Sequence, residues 1–150
     1  MKKYLLLLGC LFAFFYSRAQ YQMEYLTRGV YAVNSGNGKV FVSWRLLGTE
    51  NNELSFNLYR TVNGKTVKLN IAPLQTATGF TDESVDTNTV NKYTVKAIIN
   101  KKEESQGSSF TLQANAKPYL SIPLQTPAGY SANDASVGDI DGDGIYEIVI

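Results

Sequence analysis

Lys39-Val40-Phe41-Val42-Ser43-Trp44-Arg45-Leu46 sets Val40, Val42, Trp44 and Leu46 on one side of an extended chain and Lys39, Phe41, Ser43 and Arg45 on the other. Successive side chains of a strand point to opposite faces, so a period of two predicts a half-buried antiparallel strand. Upstream, residues 29–34 read as a first strand, closed by Ser35-Gly36-Asn37-Gly38, a turn of residues that tolerate positive φ. Downstream, residues 48–52 form a polar loop and residues 55–60 a strand with Phe56 and Leu58 on one face. Val62-Asn63-Gly64-Lys65 is a hairpin turn, after which residues 65–69 pair back. Residues 70–91 are looser, with Phe80-Thr81-Asp82 a short strand or corner. Residues 92–99 alternate again, with Tyr93, Val95, Ala97 and Ile99 on one face. Residues 100–106 are a charged turn and 108–112 a last edge strand. About seven short strands with regularly spaced turns predict a β-sandwich.

Composition agrees with this all-β reading. Ten tyrosines and seven phenylalanines favour strands, and 44% hydrophobic with 18% charged residues suits a globular chain. Net charge is +1; without Lys2, Lys3 and Arg18 of the leader, 11 basic residues face 13 acidic ones. No basic stripe is present, so nucleic acid is not an expected partner. Histidine is absent, which excludes a histidine general base or zinc ligand within these 150 residues.

Residues 1–19 read as a signal peptide. Lys2 and Lys3 precede an apolar run from 4 to 16, and Ser17-Arg18-Ala19 offers small residues at a cleavage site. The run is shorter than the roughly 20 residues a transmembrane helix needs, so the protein is expected to be periplasmic, secreted or at the cell surface. Cys10, the single cysteine, follows Leu7-Leu8-Gly9 as in a lipobox, but the apolar run continues past it. Its expected fate is loss with the leader rather than lipidation.

The sandwich is assigned to residues 20–116. Residues 117–129 follow as a linker, with Pro118, Pro123 and Pro127 holding the chain extended. Residues 130–150 begin a second domain, in which Ile148-Val149-Ile150 is expected to be a strand without a partner. Between them lies Asp139-Ile140-Asp141-Gly142-Asp143-Gly144-Ile145-Tyr146-Glu147. Carboxylates packed this closely repel, and a hard divalent cation taking roughly six to eight oxygen ligands resolves the conflict. Asp139, Asp141 and Asp143 stand at the first, third and fifth positions, Ile145 offers its carbonyl at the seventh, and Glu147 stands at the ninth. An EF-hand needs a glutamate where Ile150 stands. The spacing fits instead the shorter aspartate loops of propeller blades, with Ca2+ in a structural rather than catalytic role.

Trp44, Phe56-Asn57-Leu58-Tyr59-Arg60 and Tyr93-Thr94-Val95-Lys96-Ala97 resemble a fibronectin type III domain, with Tyr93 in the place of the tyrosine corner. For Trp44 and Tyr93 core packing is the expected role, since burying such a side chain contributes on the order of 2–3 kcal/mol. More specifically, Gln22-Met23-Glu24-Tyr25-Leu26-Thr27-Arg28-Gly29-Val30, the fibronectin-like segment and the stretch 130–147 together resemble secreted rhamnogalacturonan lyases of polysaccharide lyase family eleven. Asn133-Asp134-Ala135-Ser136-Val137-Gly138-Asp139 is the most specific part. The resemblance implies that the second domain is the start of an eight-bladed calcium-binding β-propeller that cleaves pectic rhamnogalacturonan by β-elimination, acting as a monomer. Most of such a propeller lies outside these residues, so the 150-residue chain alone is expected to be inactive. The catalytic base is not identified; Asn133 and Asp134 are turn formers or line the substrate funnel. Two rival readings are a non-enzymatic calcium-stabilised propeller that binds glycans or acts as an adhesin, and a carbohydrate-binding sandwich with Phe41 and Tyr59 in an aromatic row.

Overall fold

The structure, a computed structural model, describes residues 25–50, 53–75, 77–119 and 121–150. The leader, Cys10 and Gln22-Met23-Glu24 lie outside the described residues. Two sheets make the main body. One contains β1 (Tyr31–Gly36), β2 (Lys39–Ser43) and β5 (Gly79–Asp82), in that order. The other runs β4 (Lys65–Lys68), β3 (Ser55–Val62), β6 (Asn91–Ile99), with β7 (Lys102–Glu103) and β8 (Ser108–Leu112) both pairing with β6. All pairings are antiparallel. This three-strand sheet against a larger one is a fibronectin type III-like sandwich.

The period-two patterns place the core. Val40 and Val42 of β2, Phe56 and Leu58 of β3, and Tyr93, Val95 and Ala97 of β6 are buried, with Trp44 edge-on to Phe56 at 5.5 Å. Asn63 and Gly64 take φ of 48° and 76°, the paired left-handed conformation of a tight two-residue hairpin between β3 and β4.

The alternation overshoots at strand ends. Leu46, expected inside, is 55% exposed, because the β2 ladder stops at Ser43. Beyond it, the Trp44 amide donates to the Thr78 carbonyl and the Arg45 amide to that of Arg28. Ile99 likewise ends exposed, next to Asn100 and Lys101, whose positive φ turns the chain. The first strand begins at Tyr31 rather than at 29, since Gly29 is left-handed at φ 53°. The charged turn holds the short β7.

The looser stretch after β4 has a structural function. Asn70 is buried; its Oδ1 accepts from the Leu58 amide and its Nδ2 donates to Asn57 Oδ1 and to the Phe56 and Ala72 carbonyls. Leu74 then bridges Phe56 through both backbone bonds. Side chain and backbone together complete the edge of β3 where β4 has ended, pairing backbone groups of Phe56 and Leu58.

Asp82 ties the two sheets together. From β5 its Oδ2 accepts from Arg60 of β3 at 2.5 Å and from the Tyr93 hydroxyl of β6 at 3.1 Å. Its Oδ1 accepts from the Ser84 amide and hydroxyl. In a tyrosine corner the hydroxyl reaches a backbone group upstream; here Tyr93 reaches a carboxylate. Burial first, then the Asp82 charge beside it, pushes the Tyr93 phenol well above its ordinary range.

The final strand is not unpartnered as expected. β9 (Ser136–Gly138) and β10 (Glu147–Val149) form an antiparallel hairpin, with Ile148 opposite Val137.

Candidate metal site and its mooring

The acidic loop is the connection between β9 and β10. Its backbone folds around its own carboxylates. Asp139 accepts from the Gly142 amide through Oδ1 (2.8 Å) and from the Gly144 amide through Oδ2 (3.1 Å). Asp141 accepts from the Asp143 amide, Asp143 from the Ile145 amide, and Glu147 from the Ile140 amide at 2.8 Å. Gly142 and Gly144, at φ of 80° and 86°, supply the left-handed residues this winding requires.

Oxygen atoms of Asp139, Asp141 and Glu147 lie within 4.8 Å of one another. At such separations each like-charged pair costs on the order of 1–4 kcal/mol, depending on the local dielectric. The ion pairs Arg28–Glu50, Lys39–Glu83, Arg60–Asp82 and Lys96–Glu103 lie elsewhere. An all-oxygen set of converging carboxylates with no basic side chain in it suits a hard cation. Asp143, whose Oδ1 accepts from the Ile145 amide, is not among the three residues whose oxygens lie within 4.8 Å of one another. Asn133 and Asp134 are exposed, and the Asn133 amide donates to Asp134.

Sequence reasoning missed the surroundings of the loop. The Gly144 carbonyl accepts two bonds from Thr27, one from its amide and one from its hydroxyl, each 3.0 Å. The Arg45 guanidinium lies 4.4 Å from the Tyr146 ring centroid and donates to the Thr27 carbonyl at 3.2 Å. Next to it, Arg28 makes a fork-shaped pair with Glu50 (2.5 and 2.7 Å) and donates to the Arg45 carbonyl. Burial alone pushes the Glu50 carboxyl up, but the Arg28 bond and charge and the Leu47 amide outweigh it, so the net shift is downward. The only signal for this assembly was the Thr27-Arg28-Gly29 stretch, which pattern reading treats as a plain strand entry.

On the outer face of the larger sheet, Tyr59, Thr61, Thr66, Thr94, Lys96 and Glu103 line an open groove of about 340 Å³. Phe41 projects from the outer face of the other sheet, where it packs over Gly79. Phe41 and Tyr59 therefore stand on opposite faces of the sandwich and form no row.

The rhamnogalacturonan I lyase β-sheet domain model matches residues 21–112, and the chain belongs to that family. Two relatives from Bacillus subtilis (strain 168) are similar over 86% of the chain: rhamnogalacturonan endolyase YesW, 47% identical, and rhamnogalacturonan exolyase YesX, 43% identical. The chain spans 21% of the length of each. Among solved structures, the exotype lyase YesX superposes with a TM-score of 0.67 at 41% identity, and a Bacillus licheniformis rhamnogalacturonan lyase with 0.66 at 50%. Each comparison covers 85% of this chain and about a fifth of the other, 21% and 22% respectively.

Proposed function

We propose that these residues are the amino-terminal part of an exported, monomeric rhamnogalacturonan lyase that cleaves the pectic backbone by β-elimination. The carrying observation is the identity of 47% and 43% to two named rhamnogalacturonan lyases over most of the chain. That similarity favours an enzyme over a non-enzymatic propeller adhesin. In the reaction proposed, a base takes the C5 proton of a galacturonosyl residue. The electron pair forms the C4–C5 double bond, and the 4-oxygen leaves with the rhamnosyl residue attached. Among the described residues none is assigned as that base.

In this reading residues 130–150 open a calcium-binding propeller. The exposed apolar side chains of Val137, Ile148 and Val149 on the β9–β10 hairpin support it, since a two-stranded hairpin is marginal alone. Asp139, Asp141 and Glu147 would hold Ca2+, with Asp143 and the Ile145 carbonyl completing the set. The ion would supply charge neutralisation that fixes the loop.

The test is rhamnogalacturonan I offered to the full-length protein and, separately, to the 150-residue chain. Expected is a 4,5-unsaturated product from the former, suppressed by a calcium chelator, and none from the latter. Saturated products from the full-length protein would overturn the lyase reading.

A further inference from the structure

We infer that residues 25–29 form a strap through which the sandwich holds the acidic loop in its cation-binding shape, with Thr27 as the positioning residue. As far as it concerns cation affinity, this rests on the calcium reading above; as far as it concerns loop shape, it stands on the contacts alone.

The strap acts on one residue, Gly144, through its carbonyl. The Gly144 carbonyl receives both donors of Thr27, while the Gly144 amide donates to Asp139 Oδ2. Orienting the carbonyl therefore orients the residue whose amide steers a carboxylate of the cluster. The fit is close, because a Cβ built on Gly144 would stand 2.7 Å from the Tyr25 carbonyl oxygen. With both its acceptor positions taken by Thr27, the Gly144 carbonyl is committed to the strap and is not one of the proposed ligands.

The strap is itself anchored at its other end. Arg45, which follows the core residue Trp44, donates to the Thr27 carbonyl and covers the Tyr146 ring. Gly29 is left-handed and leaves room for the Arg45 guanidinium, which a Cβ would meet at 2.6 Å. The Arg45 amide donates to the Arg28 carbonyl, and Arg28 is held by Glu50. The anchoring contacts join residues 18 and 22 positions apart, and the Thr27–Gly144 bond joins positions 117 residues apart. Contact order of that kind has no use for folding speed, but it places a loop at a defined point on a rigid body.

The experiment uses the full-length protein with Thr27→Val, which deletes the hydroxyl donor and keeps shape and amide, and Thr27→Ser, which keeps the hydroxyl. Asp141→Asn serves as the loop control. Hydrogen exchange resolved by peptide is read without metal, and calcium binding is read by calorimetry. Losing one bond of this kind is expected to raise exchange across 136–149 and weaken calcium binding by about two- to tenfold in Thr27→Val, with Thr27→Ser near the parent. Unchanged exchange in Thr27→Val overturns the strap. Should exchange rise in Thr27→Val while Asp141→Asn leaves calcium binding untouched, the strap stands and the calcium reading of this loop falls. Should Asp141→Asn remove a calcium ion while Thr27→Val alters neither measurement, the calcium reading stands and the strap falls.

Discussion

Replacing Asp82 by asparagine tests what holds the two sheets together. The change is nearly isosteric, so packing is kept and only charge and acceptor capacity are altered. Asp82 is 2% exposed and its partner Arg60 14% at the side chain, 2.5 Å apart. Asparagine can still accept from Ser84 through one oxygen, but it turns an NH2 group towards Arg60 and leaves that guanidinium without a counter-charge. Breaking a buried pair from one side costs about 3–5 kcal/mol, and because Arg60 retains some solvent contact the lower end applies, about 3 kcal/mol. Domains of this size are stable by about 5–15 kcal/mol, so the variant should fold but lose a large part of its margin. With about 4–8 °C per kcal/mol, the melting midpoint should fall by roughly 12–24 °C. Trp44, the chain's one tryptophan and buried against Phe56, reports the transition by fluorescence in a urea titration. Adding Arg60→Met to Asp82→Asn should recover stability, since the orphaned charge is then gone. A loss below about 1 kcal/mol for Asp82→Asn, or no recovery in the double variant, would refute the idea that this pair staples the sheets.

Leu58, fully buried between the sheets, should cost about 2–5 kcal/mol when cut to alanine; a urea midpoint within error of the parent would contradict its place in the core. The Glu50 carboxyl is held below its ordinary value of 4.5, so its contribution is complete above about that pH and is lost as pH falls through the folded value. A stability profile from pH 7 to 3 should show that loss in the parent and not in Glu50→Gln, and parallel curves would dismiss the clamp. Gly144→Ala meets both an unfavourable φ of 86° and the Tyr25 carbonyl, so exchange across the acidic loop should rise by at least tenfold, about 1.4 kcal/mol; unchanged protection would mean the loop is not seated on residues 25–27.

Where the physics is local, the sequence is a good guide to this fold. Val40 and Val42 alternate with the exposed Lys39 and Phe41 and are buried; Asn63-Gly64 makes the turn that its left-handed preference dictates. Patterning fails where a ladder ends, because alternation at Leu46 and Ile99 says nothing of whether a partner strand is still present. Buried polar groups are the other blind spot. Asp82 and Asn70 look like turn residues in a string, and only the folded chain shows the hydroxyl, guanidinium and amide groups that surround them. In the acidic loop, oxygens of Asp139, Asp141 and Glu147 lie within 4.8 Å of one another and the run is visible in the sequence, whereas the mooring by Thr27 joins residues 117 positions apart and leaves no periodic trace.

The distribution of burial explains why such a mooring is needed. The core cluster draws on residues from Val30 to Leu112, while the apolar side chains of Val137, Ile148 and Val149 are 45–60% exposed and contribute little burial to hold their hairpin. Three carboxylates crowd the connection, and five loop amides already turn inward to meet carboxylates of the loop. These amides lower the repulsion without cancelling a net charge, so the loop's shape must come from outside it. Two sources are proposed: a cation between the carboxylates, and the Thr27 strap fixed through Arg45 and Arg28 to the sandwich. They act on the same residue from opposite sides, since Asp139 holds the amide of Gly144 and Thr27 its carbonyl, in successive peptide units. The sandwich can in this way help determine the geometry of the acidic loop beside it.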